Sequence, residues 1–266
     1  MNAINPVQHT EEVQMLALAG IPDIKPGDDL AAEILSALER QALGLRDGDI
    51  LVIAHKVVSK AEGRIVKLAD VTPSEEAIAL GEQLNKDPAK MQCVLDESTR
   101  IVRTRKLPEQ DEGLVIAEHK LGFICANAAV DESNVDQPGH AILLPEDPDA
   151  SARKLCSELE RASAAQIGIV ITDTFGRPWR TGLVNVAIGL AKVPSKVDLA
   201  GEKDAYGREL RVTVPALADE LAAASGLLMS KEGKKPVLLF RGVDWQPGQS
   251  SARDLLRPAR EDLFRQ

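Results

Sequence analysis

The chain has 266 residues, enough to bury a substantial core as one large domain or two interlocked smaller ones. Aromatic residues are only 3% of it, so that core must be built from Ile, Val, Leu and Ala. A net charge of −9 argues against general nucleic-acid binding, which needs a broad basic face, and any anion site must gather its cations locally.

In chain order, residues 1–14 are polar and acidic and read as a loose tail or an added edge. They lack the basic and apolar regions of a secretory signal. No apolar run approaches the length of a membrane span, so a soluble, cytoplasmic chain with no membrane partner is expected. The tail is bounded at residue 17, with the main domain over 18–245 and a C-terminal helix over 246–266. The segment 20–27, which holds Ile21, Pro22, Asp23 and Ile24, is a loop punctuated by Pro and Gly. Asp28 or Asp29 then caps a helix with Leu30, Ile34, Leu35 and Leu38 on one face, and Gly44 ends it. Asp47-Gly48-Asp49 turns into a strand over 50–54, followed by the basic segment His55 to Lys60. Helices are predicted over 74–85 and 88–98. Between Ile101 and Leu144, short apolar runs alternate with polar turns, which is strand-rich. Asp147-Pro148 opens the next helix with Pro in its first turn. A strand over 167–172, a long polar loop to Arg211, a helix over 215–229 and a strand over 237–240 complete the pattern. The order is mixed rather than strictly alternating, which predicts an α+β (mixed α/β) fold with mixed sheets flanked by helices.

Cys93, Cys125 and Cys156 are odd in number and far apart, which supports neither a zinc site nor a disulfide framework. The chemistry concentrates elsewhere. The run Ile167-Gly168-Ile169-Val170-Ile171 breaks abruptly into Asp173 and Thr174, hard oxygen donors suited to Mg²⁺ or Mn²⁺. Arg177 and Arg180 follow, with guanidinium forks suited to phosphate or carboxylate. The alternative is a capped turn with solvated arginines. Asp131 and Asn134, beyond a predicted strand over 121–125, form either part of a metal and nucleotide site or an Asx-rich turn. Two strand-end carboxylates, Asp131 and Asp173, make a divalent-cation site a candidate. Lys56, Lys60 and Arg64 recur every four residues and would share a helical face, either as a phosphate clamp or as a solvated basic surface beside His55. The polar segment from Asp198 to Arg208, with Asp204 and Tyr206, reads as a substrate loop or a disordered excursion. No GxxxxGK[ST], HExxH, GxSxG or GxGxxG motif occurs. The residues alone point to a metal-and-phosphate enzyme.

Several strings in this order resemble the coenzyme F420-0:γ-glutamyl ligase family. They include Gly20-Ile21-Pro22, Val57-Val58-Ser59-Lys60-Ala61-Glu62-Gly63-Arg64, Asn127 through Asn134, and Asn185-Val186-Ala187-Ile188-Gly189. The most specific is Thr172-Asp173-Thr174-Phe175-Gly176-Arg177-Pro178-Trp179-Arg180. The resemblance implies an intertwined homodimer and a ligase that adds L-glutamate to F420-0 using GTP, with Mg²⁺ or Mn²⁺ and K⁺. It implies Asp131, Asp173 and Thr174 as metal ligands, with Asp131, Asp173 and Arg177 in the catalytic set. Ile21, Pro22, Asp23, Ile24, His55, Lys56, Lys60 and Asn134 would contact the nucleotide. The chain departs from the family pattern at Ala129, usually Gly, at Leu183, often Gln, and at Lys231, where Gln can reach the metal site. A ligase acting on another acceptor such as a folate, a non-catalytic nucleotide- or metal-binding relative, and a phosphate-releasing hydrolase remain open.

Overall fold

The computed structural model describes residues 12–133, 138–229 and 234–262. Its centre is the strand β2 (Ile50–Ala54), whose sequence Ile-Leu-Val-Ile-Ala is buried on both faces except at its last residue. An apolar run this short, rich in branched side chains and launched from the Asp47-Gly48 turn, has its lowest free energy in the middle of a sheet. β8 (Gly168–Arg177) pairs with it in parallel, and β10 (Val237–Arg241) pairs antiparallel on its other side. β1 (Gln14–Ala17) and β9 (Arg180–Ala191) complete a five-stranded sheet in the order β1-β10-β2-β8-β9. Residues 14–17 form an edge of this sheet through their pairing with β10, while most of the segment 1–14, read as a loose tail or an added edge, lies outside the described residues. Arg241 on β10 grips Asp49 through both carboxylate oxygens, at 2.8 and 2.6 Å, and fixes this strand against the start of β2.

Three helices bury the sheet. α1 (Leu30–Arg40) starts where the Asp29 carboxylate accepts the Ala32 amide, although it stops short of Gly44. α5 (Pro148–Ser163) is capped by Asp147 with Pro in its first turn, as expected. It lies so close to β9 that a Cβ on Gly189 would stand 2.5 Å from the Pro148 carbonyl oxygen, a place only glycine can occupy. α6 (Leu217–Ser225) is shorter than its sequence pattern suggested. The open edge of β9 is protected by side chains, since Asp219 accepts the Ala187 amide and Asp149 the Leu190 amide.

A second, smaller core lies between α3 (Glu75–Leu84), α4 (Pro88–Asp96) and a three-stranded sheet of β4 (Ser98–Arg105), β5 (Leu114–His119) and β6 (Ile124–Ala126). A two-stranded pair, β3 (Ile65–Lys67) and β7 (His140–Ile142), stands beside it. The architecture is mixed α and β with mixed sheets, as the sequence predicted. No helix among the described residues is long and apolar enough to cross a membrane.

Two expectations are corrected. The polar stretch after Thr172 is not a loop. β8 runs on to Arg177, turns in two residues and returns as β9, and residues 197–215 form a further hydrogen-bonded ribbon. These ribbons leave the core, so their side chains lose the apolar signal while the backbone ladder continues. The C-terminal α-helix is also absent from the described residues, where only single 3₁₀ turns at Ala252–Leu255 and Ala259–Glu261 occur. Ser251 and Asp254 cap the first turn reciprocally, but Pro258 lacks an amide hydrogen and biases Arg257 away from helix.

Candidate active site

The parallel pairing of β2 with β8 creates the site. Their register sets Ala54 beside Thr172, so the next residues on each strand, His55 and Asp173, emerge side by side at the carboxyl ends. Crevices at the carboxyl ends of adjacent parallel strands are where such sheets bind ligands. His55 begins the helix α2 (His55–Ala61), which follows β2 without a loop. Its ring is 2% exposed, with Nδ1 3.2 Å from Ser59 Oγ and Nε2 3.2 Å from Asp173 Oδ1. The second approach is close but poorly aligned, and leaves Nε2 buried without a formed hydrogen bond. Asp173 Oδ1 accepts the Thr174 amide at 2.7 Å. Thr174 Oγ1 donates to Asn185 Oδ1, its cross-strand partner, at 2.8 Å, and Asn185 Nδ2 donates to Ser225 Oγ at 3.1 Å. The threonine proton is thereby committed, and its lone pairs remain available.

The lysines of α2 are already engaged. Lys56 Nζ donates to Asp131 Oδ2 and to Ser133 Oγ, the latter at 2.6 Å. Burial raises the Asp131 carboxyl, but the hydrogen bond and charge of Lys56, with Ser133, outweigh it and hold the group at about 2. Lys60, 7% exposed, donates to Asp23 Oδ1 at 2.8 Å. The three-membered basic face predicted from spacing is corrected. Gly63, at φ +72°, stops α2, and Arg64 turns away to the Leu144 carbonyl and the Glu97 carboxylate.

A cleft of about 290 Å³ gathers Ile21, Pro22, Asp23, Ile24, His55, Lys56, Lys60, Asp173 and Thr174, drawn from three separate segments of sequence. Asp131 stands behind Lys56 rather than in the lining. Arg177 is not brought in either; it sits near the tip of the β8–β9 ribbon, where its Nη2 donates to the Thr181 carbonyl. Asp204 accepts the amides of Tyr206 and Arg208 and so closes the tip of the 197–215 ribbon, and no residue of the 198–208 segment lines the cleft. Asn134 and Lys231 lie outside the described residues. Asn185, Met229, Lys234 and Lys235 also line the cleft and were missed as site residues. Asn185 becomes visible only once β9 is known to pair with β8, and no spacing marks the two lysines.

Among the described residues no group of three or more His, Cys, Asp and Glu side chains is preassembled for a metal ion. The donors present nonetheless fit Mg²⁺ or Mn²⁺. The second oxygen of Asp173 and the Thr174 hydroxyl are hard ligands, and such ions accept one or two carboxylates with phosphate and water completing the shell. The cysteines suit no such role: burial pushes the Cys125 thiol up to about 12, with the Asp173 charge adding to the effect.

Strand-end cleft and surrounding segments together define a family. The chain matches the F420-0:Gamma-glutamyl ligase family over residues 20–242 and belongs to it. It is 42% identical over 256 residues to the coenzyme F420:L-glutamate ligase of Methanothermobacter thermautotrophicus, covering 95% of this chain and 99% of that one. It is also 43% identical over 247 residues to the enzyme of the same name from Methanopyrus kandleri, covering 91% and 93%. The Methanocaldococcus jannaschii enzyme is 39% identical over 260 residues, covering 97% and 99%. The family is one of ligases.

Proposed function

We propose that this chain joins L-glutamate to coenzyme F420-0 with GTP as the energy source, working as a homodimer and building γ-glutamyl-linked F420. The observation that carries the reading is the cleft itself, where His55, Lys60, Asp173 and Thr174 converge within the span that the family shares.

A carboxylate does not condense with an amine in water unless it is first activated. In this reading the acceptor carboxylate attacks the γ-phosphorus of GTP, GDP leaves, and an acyl phosphate forms. The glutamate amine then attacks the acyl carbon, loses a proton, and expels inorganic phosphate. Both steps depend more on placement and charge neutralisation than on a protein nucleophile. Lys60 and Lys56, anchored by Asp23 and Asp131, present fixed positive charge along one wall. Lys234 and Lys235 add charge at the mouth. His55 backs Asp173 and limits its freedom. Mg²⁺ or Mn²⁺ would be held by Asp173 and Thr174 with Asp131, accompanied by K⁺, and supplies further neutralisation of the phosphates.

Mass spectrometry of F420-0 incubated with the protein, L-glutamate, GTP and Mn²⁺ tests this. The expected product is heavier by one or more glutamyl units, requires GTP over ATP, and is absent with Asp173→Ala. Glutamylation of a folate in place of F420-0 would transfer the assignment to the other acceptor.

A further inference from the structure

Asp173 and Thr174 are neighbours on β8, and each is backed by a polar side chain that ends on a buried serine. Behind Asp173 stands His55, with Nε2 3.2 Å from Asp173 Oδ1 and Nδ1 3.2 Å from Ser59 Oγ. His55 and Ser59 lie four residues apart on α2 and so share one face of it. Behind Thr174 stands Asn185, whose Oδ1 accepts the threonine hydroxyl while its Nδ2 donates to Ser225 Oγ, at the last residue of α6. Both serines are 0% exposed. A hydroxyl shut away from water costs free energy unless it is hydrogen-bonded, and each of these two meets a side chain that leads to the site.

Hydrogen bonds have direction, and the serines set it. A neutral imidazole carries one N–H and one bare nitrogen. The Ser59 hydroxyl donates to Nδ1 as the bare nitrogen, which puts the ring hydrogen on Nε2, towards Asp173 Oδ1. That approach is loosely aligned, as hydrogen bonds of a ligand-free site often are. With the Thr174 amide on the same oxygen, Asp173 Oδ1 is held from two sides, and Oδ2 is the oxygen left to meet a ligand. On the other branch Ser225 donates its own hydrogen to the Ala222 carbonyl at 2.6 Å, so towards Asn185 it acts as acceptor. This turns the amide nitrogen of Asn185 to Ser225 and its oxygen to Thr174, which commits the threonine hydrogen and leaves the lone pairs.

We propose that Ser59 and Ser225 are positioning residues. Through His55 and Asn185 they orient the Asp173 carboxylate and the Thr174 hydroxyl so that both offer bare oxygen lone pairs, which a divalent cation requires. The inference rests on the metal-binding part of the proposed function and not on the identity of the acceptor. Neither serine is among the residues lining the cleft, so both act through the side chains in front of them. Metal ligands are commonly held by hydrogen-bonded partners behind them, and loss of such a partner typically costs about ten- to a hundredfold in metal affinity or activity.

Two measurements test it. Mn²⁺ titrations followed by electron paramagnetic resonance, with GTP present and no acceptor, compare the wild type with Ser59→Ala and Ser225→Ala. Each variant should bind Mn²⁺ about tenfold or more weakly. A serine with a merely structural role would lower the melting temperature and leave the Mn²⁺ affinity of the folded protein alone. Affinity close to that of the wild type in either variant therefore overturns the proposal. Separately, long-range proton–nitrogen NMR of the metal-free wild type should find the His55 hydrogen on Nε2 and Nδ1 bare. A hydrogen on Nδ1 overturns the proposal, and this reading stands even where an alanine variant fails to fold. If the wild type glutamylates no F420-0 while its Mn²⁺ affinity still depends on both serines, the ligase reading falls and the positioning role holds.

Discussion

β8 is one strand with two environments. Its inner half, Gly168 to Thr172, is buried at every residue between β2 and β9, while its outer half, Asp173 to Arg177, alternates between half-buried and exposed. The hydrogen-bonded ladder crosses the boundary with only local irregularity, so the outer half inherits its position from packing it does not share. Asp173 stands at the first residue beyond that boundary. Chemistry there gains a solvent-reachable carboxylate on a backbone anchored by the core, a more rigid mount than a free loop provides. The two halves should therefore fail differently when mutated.

The largest effect is expected outside the boundary. Asp173→Asn keeps the shape and removes the charge, and should lower turnover by roughly a thousandfold, about 4 kcal/mol of transition-state stabilisation. The melting temperature should stay close to wild type, because the side chain contributes little apolar packing. Single-turnover assays beside calorimetry check both. Loss of folding in this variant would mean that Asp173 is structural. Inside the boundary the pattern reverses. Ile169→Ala, at a residue with no exposure, should cost about 3 kcal/mol in denaturant unfolding. Turnover per folded molecule should change by no more than a few-fold. A large loss of turnover in the folded fraction would show that the halves are not separable.

The same boundary explains what the sequence made legible. β2 and the inner half of β8 were readable because burial on both faces writes an uninterrupted apolar run. The caps at Asp29 and Asp147 were readable because capping is local. Asp173 and Thr174 stood out because the apolar run stopped at them. The outer half of β8 and the start of β9 carry no strand signal in the sequence, since a ribbon that leaves the core keeps its ladder but loses its periodicity. Pairing between distant segments was the other blind spot. Nothing in the four-residue spacing of Lys56, Lys60 and Arg64 shows that Asp131, Asp23 and Glu97 engage them, and neither do the letters around Lys234 and Lys235 place them at a cleft.

The smaller core offers a gentler contrast. Glu97, at the end of α4, receives Arg64 Nη2 at 2.8 Å, and His119 Nε2 stands 3.5 Å from the same oxygen. Burial raises the Glu97 carboxyl, but His119 and Arg64 together outweigh it and lower the group. Since the folded group binds its proton more weakly than the unfolded one, its stabilisation is present above the ordinary carboxylate range. It is lost as the pH falls through the lowered folded value. Glu97→Gln should cost about 2 kcal/mol at neutral pH, as charged hydrogen bonds do. Thermal melts of both proteins should converge below the ordinary carboxylate range. A constant gap at all pH values would mean that packing, not charge, sets the difference.

The smallest effect is expected to be a gain. Asn127, Ala128 and Ala129 are three successive residues at positive φ, +51°, +48° and +58°, leading to Val130 and Asp131. A left-handed backbone costs a residue with a Cβ about 1–2 kcal/mol relative to glycine. Glycine gives part of that back through the greater freedom of its unfolded chain. Ala128 is 1% exposed and its methyl belongs to the smaller core, so glycine there would also lose packing. Ala129 is only half-buried against the larger core, and relief of strain should dominate. Ala129→Gly should therefore stabilise the protein by up to about 1 kcal/mol, read as a higher denaturation midpoint with unchanged slope. Turnover should be unaffected, because Asp131 is positioned by Lys56 and Ser133 rather than by this turn alone. A lower midpoint would mean that the methyl packs more favourably than its backbone is strained, and a loss of turnover would assign the turn itself a part in holding Asp131.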